Sequence, residues 1–158
     1  MSQPIHRYAT SLTWEGNTGQ GTASYAGYQR TYRIRVAGKP DLWGSADPAF
    51  RGDPARHNPE DLFLAALSAC HQLTSLALCA RKGLRVVAYA DEASATLTLD
   101  ASGGGSLTEV VLRPRVVLGP GQDVEQARAL HELAHHHCFL AASTATPIRV
   151  EPSVEVGP

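Results

Sequence analysis

The sequence has almost no excess of either charge, with 14 lysines and arginines against 15 aspartates and glutamates in 158 residues. This balance argues against the basic surface of a nucleic-acid-binding protein and against a polybasic membrane patch. Near Met1 there is no basic segment followed by an apolar one, so no secretory signal is predicted. We see no internal repeat and no linker, which predicts a single domain over residues 1–158.

Cysteine is scarce, with residues at positions 70, 79 and 138 only. Three cysteines in a chain without an export signal do not make a disulfide scaffold. We therefore expect reduced thiols and a cytoplasmic location.

The longest uncharged segment covers residues 62–80 and is mostly apolar. It also contains the polar side chains Ser68, His71, Gln72, Thr74 and Ser75. Because this many polar side chains would be costly in lipid, the segment is predicted to be a buried core helix and not a membrane span.

Apolar and polar residues alternate in several short stretches, which is typical of strands. A long segment rich in glycine, proline and aspartate, residues 38–57, is predicted to be irregular and is of a length that is often functional. The predicted strands cover residues 8–14, 28–36, 85–99, 107–118 and part of 147–156.

Two helices interrupt these strands. Asn58 and Pro59 are a typical cap and first residue of a helix, and Gly83 is a typical end. Asp123 begins a second helix that is predicted to reach about Cys138. The predicted order along the chain is strands, a helix, two strands, a second helix and a final strand. This order makes an α+β fold.

Cys70 lies in the middle of an apolar stripe of the first helix, whereas Cys79 lies about 180° away. Free cysteine is among the most buried residue types, so both could simply pack in the core. A reactive thiol at Cys70 would need a cation from outside the helix, because a mid-helix residue gains nothing from the helix N-terminus.

The loop before the helix offers Arg51 and Arg56 as such cations, and Glu60 could orient one of them. Glu60 is ten residues from Cys70, which is about 15 Å along a straight helix. An arginine that reaches back along the helix, or residues from a second subunit, would have to close this gap.

The second helix contains His131-Glu132-Leu-Ala-His135, which matches the H-E-x-x-H motif of zinc metalloproteases. The longer metzincin form fails, because Cys138 and Ala141 stand where glycine and histidine are required. Three interpretations stay open at this point. The segment is an exposed histidine-rich flank of an amphipathic helix, a zinc site, or the surroundings of a functional thiol at Cys138.

Three segments of the chain together resemble the OsmC/Ohr family of hydroperoxide-reducing proteins. They are NPEDLF at residues 58–63, ACH at residues 69–71 and HHHCFLAAS at residues 135–143. The similarity extends from about Trp14 to Val156. It implies antiparallel sheets packed around a long central helix, in an intertwined homodimer with two active sites at the interface.

The resemblance also implies the roles of individual residues. Cys70 would attack an organic hydroperoxide and become a sulfenic acid, and Cys138 would resolve it to a disulfide. Glu60 would pair with an arginine that activates Cys70. We prefer Arg51 for this arginine, ahead of Arg56, with Arg30 and Arg33 as further alternatives.

The implied chemistry needs no metal and no organic cofactor, since an external dithiol, such as a lipoyl group, supplies the electrons. Organic hydroperoxides are favoured over hydrogen peroxide because an apolar wall near Cys70 would bury an alkyl chain. Phe139 stands where the family typically has proline after the second cysteine. Two alternatives remain: a zinc hydrolase that uses His131, Glu132 and His135, and a non-catalytic dimer that senses redox state or binds a small molecule.

Overall fold

Three short strands form an antiparallel sheet in the first part of the chain, in the order β1-β2-β3. The structure is a computed structural model that describes residues 3–158. A Cβ atom on Gly44 would lie 2.3 Å from the ring of Tyr32, so a larger residue at the end of β3 would displace that ring. The strands are β1 (Ser11–Trp14), β2 (Tyr32–Arg35) and β3 (Leu42–Gly44).

The segment that was predicted to be irregular, residues 38–57, contains β3 and a 3₁₀ turn at Pro48–Phe50. The Asp47 side chain caps this turn by accepting a hydrogen bond from the Ala49 amide at 2.7 Å. The prediction of a wholly irregular loop was therefore wrong. Short hydrogen-bonded elements of three residues do not leave a readable alternation in the sequence.

The long helix α1 (Pro59–Arg81) has the predicted start and end. The Asn58 side chain accepts from the Asp61 amide at 2.8 Å, and the Asp61 carboxylate accepts from the Asn58 amide at 3.2 Å. This reciprocal cap satisfies two backbone donors that the first turn of a helix leaves unpaired. Gly83 ends the helix with φ 74°, a left-handed conformation that favours glycine.

The chain divides into two compact units, one ending at Leu62 and one running from Phe63 to Pro158. The second unit contains two three-stranded sheets, in the orders β4-β7-β9 and β5-β6-β8. In each sheet one pair is antiparallel and the other is parallel. The strands are β4 (Val86–Asp91), β5 (Ser94–Leu99), β6 (Gly105–Leu112), β7 (Pro114–Leu118), β8 (Ile148–Val150) and β9 (Ser153–Val156).

Each long strand that the sequence predicted in this unit is split into two strands that belong to different sheets. Asp91 stabilises one such break: its carboxylate accepts from the Arg113 amide at 2.6 Å and from the Ser68 hydroxyl at 2.5 Å. The Arg113 amide lies between β6 and β7, where no ladder partner is available. The α+β class is confirmed, with two mixed sheets where antiparallel sheets were expected.

The second helix, α2 (Val124–His137), begins at Asp123, whose carboxylate accepts from the Gln126 amide at 2.9 Å. Cys138 is the residue that ends it, one position beyond the last helical residue. The buried face of α2 packs with α1 and with the sheet β4-β7-β9 in an apolar cluster. The cluster contains Cys79, Leu84, Val116, Leu118, Ala127, Leu130 and Val154. Cys79 is therefore a packing residue, as predicted.

Among residues 3–158, none covers one face of α1 fully. The buried residues of α1 are Leu67, His71, Ser75 and Cys79, at four-residue spacing. The apolar stripe around Cys70 is more open, and Leu73 is 66% exposed. The predicted core helix is thus buried on one face within residues 3–158, and the stripe around Cys70 is only partly covered. By length and composition α1 could cross a membrane, and a core helix packed between protein layers meets the same criteria.

Candidate active site

Cys70 is half-buried and opens into a cavity of about 340 Å³ beside α1. The α1 residues that line it are mostly apolar, and the segment after α2 contributes Phe139. Thr74, Arg81 and His137 supply its polar groups. The cavity can therefore hold a small organic molecule with its reactive end against the Cys70 sulfur.

Cys138 lies directly after α2 and is only 1% exposed. Burial raises the pKa of its thiol, and the nearby Cys70 thiol raises it further. The two thiols are therefore immediate neighbours, although α1 and α2 are distant in sequence. All three cysteines of the chain are reduced.

The Cys138 sulfur also accepts a hydrogen bond from the Ala141 amide at 3.5 Å. The amides of Ala141 and Leu140 act on the pKa of Cys138 in the lowering direction, against the effect of burial. Backbone amides directed at a sulfur favour its thiolate form. The turn after α2 thus partly offsets the cost of ionising a buried thiol.

A buried pair of histidines joins α1 to α2. His71 follows Cys70 on α1 and is 1% exposed, and His131 on α2 is 3% exposed. Nε2 of His71 and Nδ1 of His131 are 3.0 Å apart and share one hydrogen, and the Ser75 hydroxyl lies 3.4 Å from the same Nδ1. The rings are stacked, with centroids 5.3 Å apart.

Burial lowers the pKa of both rings to about 4, so each is neutral at pH 7. For His71 the charges of His131 and His135 lower the pKa further, and Asp91 acts in the opposite direction. A neutral pair needs only one proton between its facing nitrogens, so the hydrogen bond forms without a buried charge.

This pair corrects the interpretation of α2 as an exposed histidine-rich flank, which holds for His136 and His137 but not for His131. The sequence did contain a signal. His71 lies four residues from the buried Leu67 and from Ser75, and His131 lies between Ala127 and Ala134 on the buried face of α2.

The zinc interpretation gains no support from the geometry. His131, Glu132 and His135 line a cavity of about 300 Å³, but Nδ1 of His131 is directed at His71. Within residues 3–158, no group of three or more histidine, cysteine, aspartate or glutamate side chains is placed to hold a metal ion. The motif therefore matches in sequence without assembling a three-ligand site.

Arg51 follows the 3₁₀ turn in the first unit, with φ 66°, an unusual conformation for a residue other than glycine. It lines a polar cavity of about 580 Å³ together with Arg30, Arg56 and Asp53. Its guanidinium forms no ion pair or side-chain hydrogen bond with any of the residues 3–158. Arg51 is thus available to bind an anion.

The three alternative arginines are already engaged. Arg56 pairs with Asp53 at 3.2 Å, and Arg33 pairs with Glu15 at 2.6 Å. Arg30 lies over two tyrosine rings and donates to the carbonyl oxygens of the same tyrosines, Tyr25 and Tyr28. This contrast favours Arg51 among the four candidates.

Glu60 lies in the first turn of α1, close to Tyr32. Burial raises the pKa of Tyr32, and the charges of Glu60 and Asp61 add to the effect. In the part of the chain that the structure describes, no ion pair joins Glu60 to an arginine. The pairing of Glu60 with Arg51 stays a prediction.

Residues 52–153, more than half of the chain, match the family model for OsmC-like proteins. The chain belongs to the OsmC-like family. An OsmC-like protein of unknown function from Vibrio cholerae is 31% identical to it, with a TM-score of 0.84 over 94% of this chain and 100% of that one. No curated protein matches the chain.

Two further solved structures share the OsmC-like fold at lower identity. An organic hydroperoxide resistance protein from Elizabethkingia anophelis has a TM-score of 0.70 and 21% identity, over 99% of this chain and 100% of that one. The corresponding protein from Bacillus subtilis has a TM-score of 0.61 and 22% identity, over 93% and 98%. The predicted family and fold are confirmed for this OsmC-like chain.

Proposed function

We propose that the protein is a cysteine-based peroxidase that reduces organic hydroperoxides. The observation that carries this proposal is the contact between the Cys70 and Cys138 thiols, with Cys70 open to a cavity and Cys138 buried behind it. An exposed sulfur that meets the substrate and a protected sulfur within reach are what a two-cysteine mechanism requires. Solved proteins of the same fold are named for organic hydroperoxide resistance, which agrees with this chemistry.

In the first step the Cys70 thiolate attacks the terminal oxygen of the hydroperoxide. The O–O bond breaks, the sulfur becomes a sulfenic acid, and the alkoxide leaves with a proton as an alcohol. The Cys138 sulfur then attacks the Cys70 sulfur and displaces hydroxide, which takes up the Cys138 proton and leaves as water. An external dithiol, such as a lipoyl group, reduces the resulting disulfide by thiol–disulfide exchange and is itself oxidised.

Cys138 is suited to the resolving role without the proline that typically follows in the family. The residue ends α2 in an extended conformation, φ −71° and ψ 113°, so the chain leaves the helix at this point although Phe139 follows. The amides of Leu140 and Ala141 then favour its thiolate. This backbone geometry supports the resolving role of Cys138 although Phe139 stands in place of proline.

The peroxidase proposal is tested by adding one equivalent of cumene hydroperoxide to the reduced protein and mapping its peptides without reduction. We expect a peptide pair linked through Cys70 and Cys138, with Cys79 still reduced. Intact thiols after the addition would contradict the proposal. A link that includes Cys79 would contradict the assignment of Cys138 as the resolving residue.

We propose Arg51, assisted by Glu60, as the cation that stabilises the Cys70 thiolate. Replacing it with glutamine removes the charge and shortens the side chain while keeping a polar amide, and the left-handed backbone conformation is as costly for glutamine as for arginine. Charge-assisted hydrogen bonds contribute about 1.5–3 kcal/mol, so Cys70 oxidation should slow by about tenfold to a hundredfold in stopped-flow measurements. Arg56→Gln is the matched control. A larger loss there than in Arg51→Gln would transfer the role to Arg56.

We also propose a homodimer, because the apolar stripe of α1 around Cys70 is only partly covered by the described residues, 3–158. Leu73 is 66% exposed and Phe139 83% exposed, both lining the Cys70 cavity. Light scattering should give twice the chain mass of 16.8 kDa, and Leu73→Asp should shift the protein toward the monomer because it would bury an unpaired carboxylate. A monomeric wild-type protein would contradict this proposal.

We further propose a cytoplasmic location, where the reducing environment keeps the two thiols available for the next cycle. Fractionation of cells that express the protein, with trapping of the free thiols, tests this. Recovery from a membrane or extracellular fraction would contradict it.

A further inference from the structure

We propose that His71 and His131 are positioning residues that set the register of α2 along α1 and so hold Cys138 against Cys70. That this register serves a peroxidase cycle rests on the proposed function. The proximity of the two thiols, which the register maintains, does not depend on that function.

The contacts between the two helices form three successive layers. At one end Cys79 of α1 packs in the apolar cluster with Ala127 and Leu130 of α2. The histidine pair follows, and the thiols of Cys70 and Cys138 meet at the other end. Apolar contacts are non-directional, so the first layer holds the helices together without fixing how far one can slide along the other.

The hydrogen bonds of the histidine pair are directional, so they can fix the position along the helix that the apolar contacts leave free. In residues 3–158, both side-chain hydrogen bonds that join α1 to α2 end at Nδ1 of His131, from His71 at 3.0 Å and from Ser75 at 3.4 Å. Because the two rings are buried, a slide of either helix would break the bond between Nε2 of His71 and Nδ1 of His131 and leave these atoms unpaired away from water, which is unfavourable. Nδ1 of His71 has no partner in the part of the chain that the structure describes, so the register is fixed by the facing nitrogens alone.

Short helical segments connect the histidines to the cysteines, so this register also fixes the positions of the two sulfur atoms. His71 is adjacent to Cys70 on α1. His131 lies seven residues before Cys138, which is two helical turns and about 10.5 Å, on the same face of α2. A disulfide tolerates little error, since its Cα atoms must lie about 4.4–6.8 Å apart.

The facing nitrogens suggest a matched set of amide substitutions. The amide of glutamine reaches the position of Nε2 of a histidine, and the amide of asparagine reaches the position of Nδ1. His131→Asn therefore keeps an acceptor opposite His71, whereas His131→Gln moves the polar group away from it. By the same reasoning His71→Gln keeps the bond and His71→Asn loses it.

The test measures the stability of the Cys70–Cys138 disulfide in glutathione buffers of stated ratio, so no peroxide is involved. We expect His131→Gln to lower the equilibrium constant for disulfide formation about tenfold, a potential about 30 mV less negative. His131→Asn should stay within about twofold of wild type. This rescue separates positioning from a general loss of packing, which would affect both variants.

Equal shifts in the two variants, or no shift in either, would overturn the proposal. If His131→Gln does not fold by circular dichroism, the His71→Asn and His71→Gln pair gives the same contrast. A wild-type protein that forms the disulfide in glutathione but ignores hydroperoxide would contradict the proposed function and leave this inference standing. A wild-type protein that forms no disulfide would overturn both.

Discussion

Replacing Cys70 with serine is expected to abolish hydroperoxide consumption, whereas Cys79→Ser should retain it. A serine hydroxyl is not ionised near neutral pH and cannot form a sulfenic acid, so the first step of the cycle is lost. Cys79 is 4% exposed and lies in an apolar cluster, out of reach of a peroxide. The measurement is the disappearance of cumene hydroperoxide with excess dithiol, at equal protein concentration.

The two variants have the same chemical change on the same helix, which makes them a matched pair. Cys79→Ser carries a stability cost of about 1–3 kcal/mol because its hydroxyl enters an apolar cluster, so its folding is verified first. Cys138→Ser completes the set: Cys70 should react once, and its sulfenic acid should persist long enough to be trapped. Turnover by Cys70→Ser at the wild-type rate would show that the mechanism is wrong.

The helices were predictable because their signals are local. Asn58 and Asp61 form the cap of α1 by themselves, Asp123 does the same for α2, and Gly83 ends α1 through its own backbone freedom. Such signals operate within a few residues and do not depend on the rest of the fold. The placement of Cys70 and Cys79 on opposite faces of α1 was predictable for a similar reason, since it follows from helix geometry alone.

The splitting of the strands was not predictable, because it depends on contacts between distant segments. Apolar runs at residues 110–112 and 116–118 lie on both sides of the break near Arg113, and the sequence there was interpreted as one strand. Pro114 is a local sign of an interruption, since proline cannot donate a ladder hydrogen bond. The break is stabilised by the Asp91 carboxylate, 22 residues away, which accepts from the Arg113 amide. A side chain so far along the chain leaves no signal of its own in the strand that it interrupts, so the change of sheet was not predictable.

The candidate site also has a part that the sequence could predict and a part that it could not. Cys70 and Cys138 could be proposed from motifs, while their contact required the packing of two helices. His131 was misleading because a strong motif competed with the weaker signal of its position on the buried face of α2. A histidine on an apolar face is explained by a partner on another element, and the sequence does not show that His71 is this partner.

The same buried pair predicts that the protein loses stability in mild acid. Burial holds the pKa of His71 and of His131 at about 4, against 6.5 for an unperturbed histidine. Between these values the unfolded chain binds more protons than the folded one, so the free energy of unfolding falls as the pH falls. The contribution is complete above pH 6.5 and is lost as the pH falls through about 4.

Each unit of pKa shift corresponds to about 1.4 kcal/mol, so protonating the two rings in acid costs the folded protein on the order of a few kcal/mol, a substantial part of the 5–15 kcal/mol typical of a domain. Asp91 and His135 face His71 with opposite effects on its pKa, and Tyr89 packs against His131 with its hydroxyl buried. Carboxylates elsewhere also titrate in acid, so a control that removes only the histidine protons is needed.

The double variant His71→Gln with His131→Asn is that control, because it keeps a hydrogen bond at the same position between groups that do not titrate. Urea unfolding at pH 7 and at pH 5 should show a clear fall in the wild-type free energy of unfolding and a much smaller fall in the double variant. Equal falls would mean that the acid sensitivity arises elsewhere and that the rings are not the buried neutral pair described above. Since the same two substitutions retain the register of α2 on α1, the double variant should also form the Cys70–Cys138 disulfide normally, which separates the proton-binding role of the histidines from their positioning role.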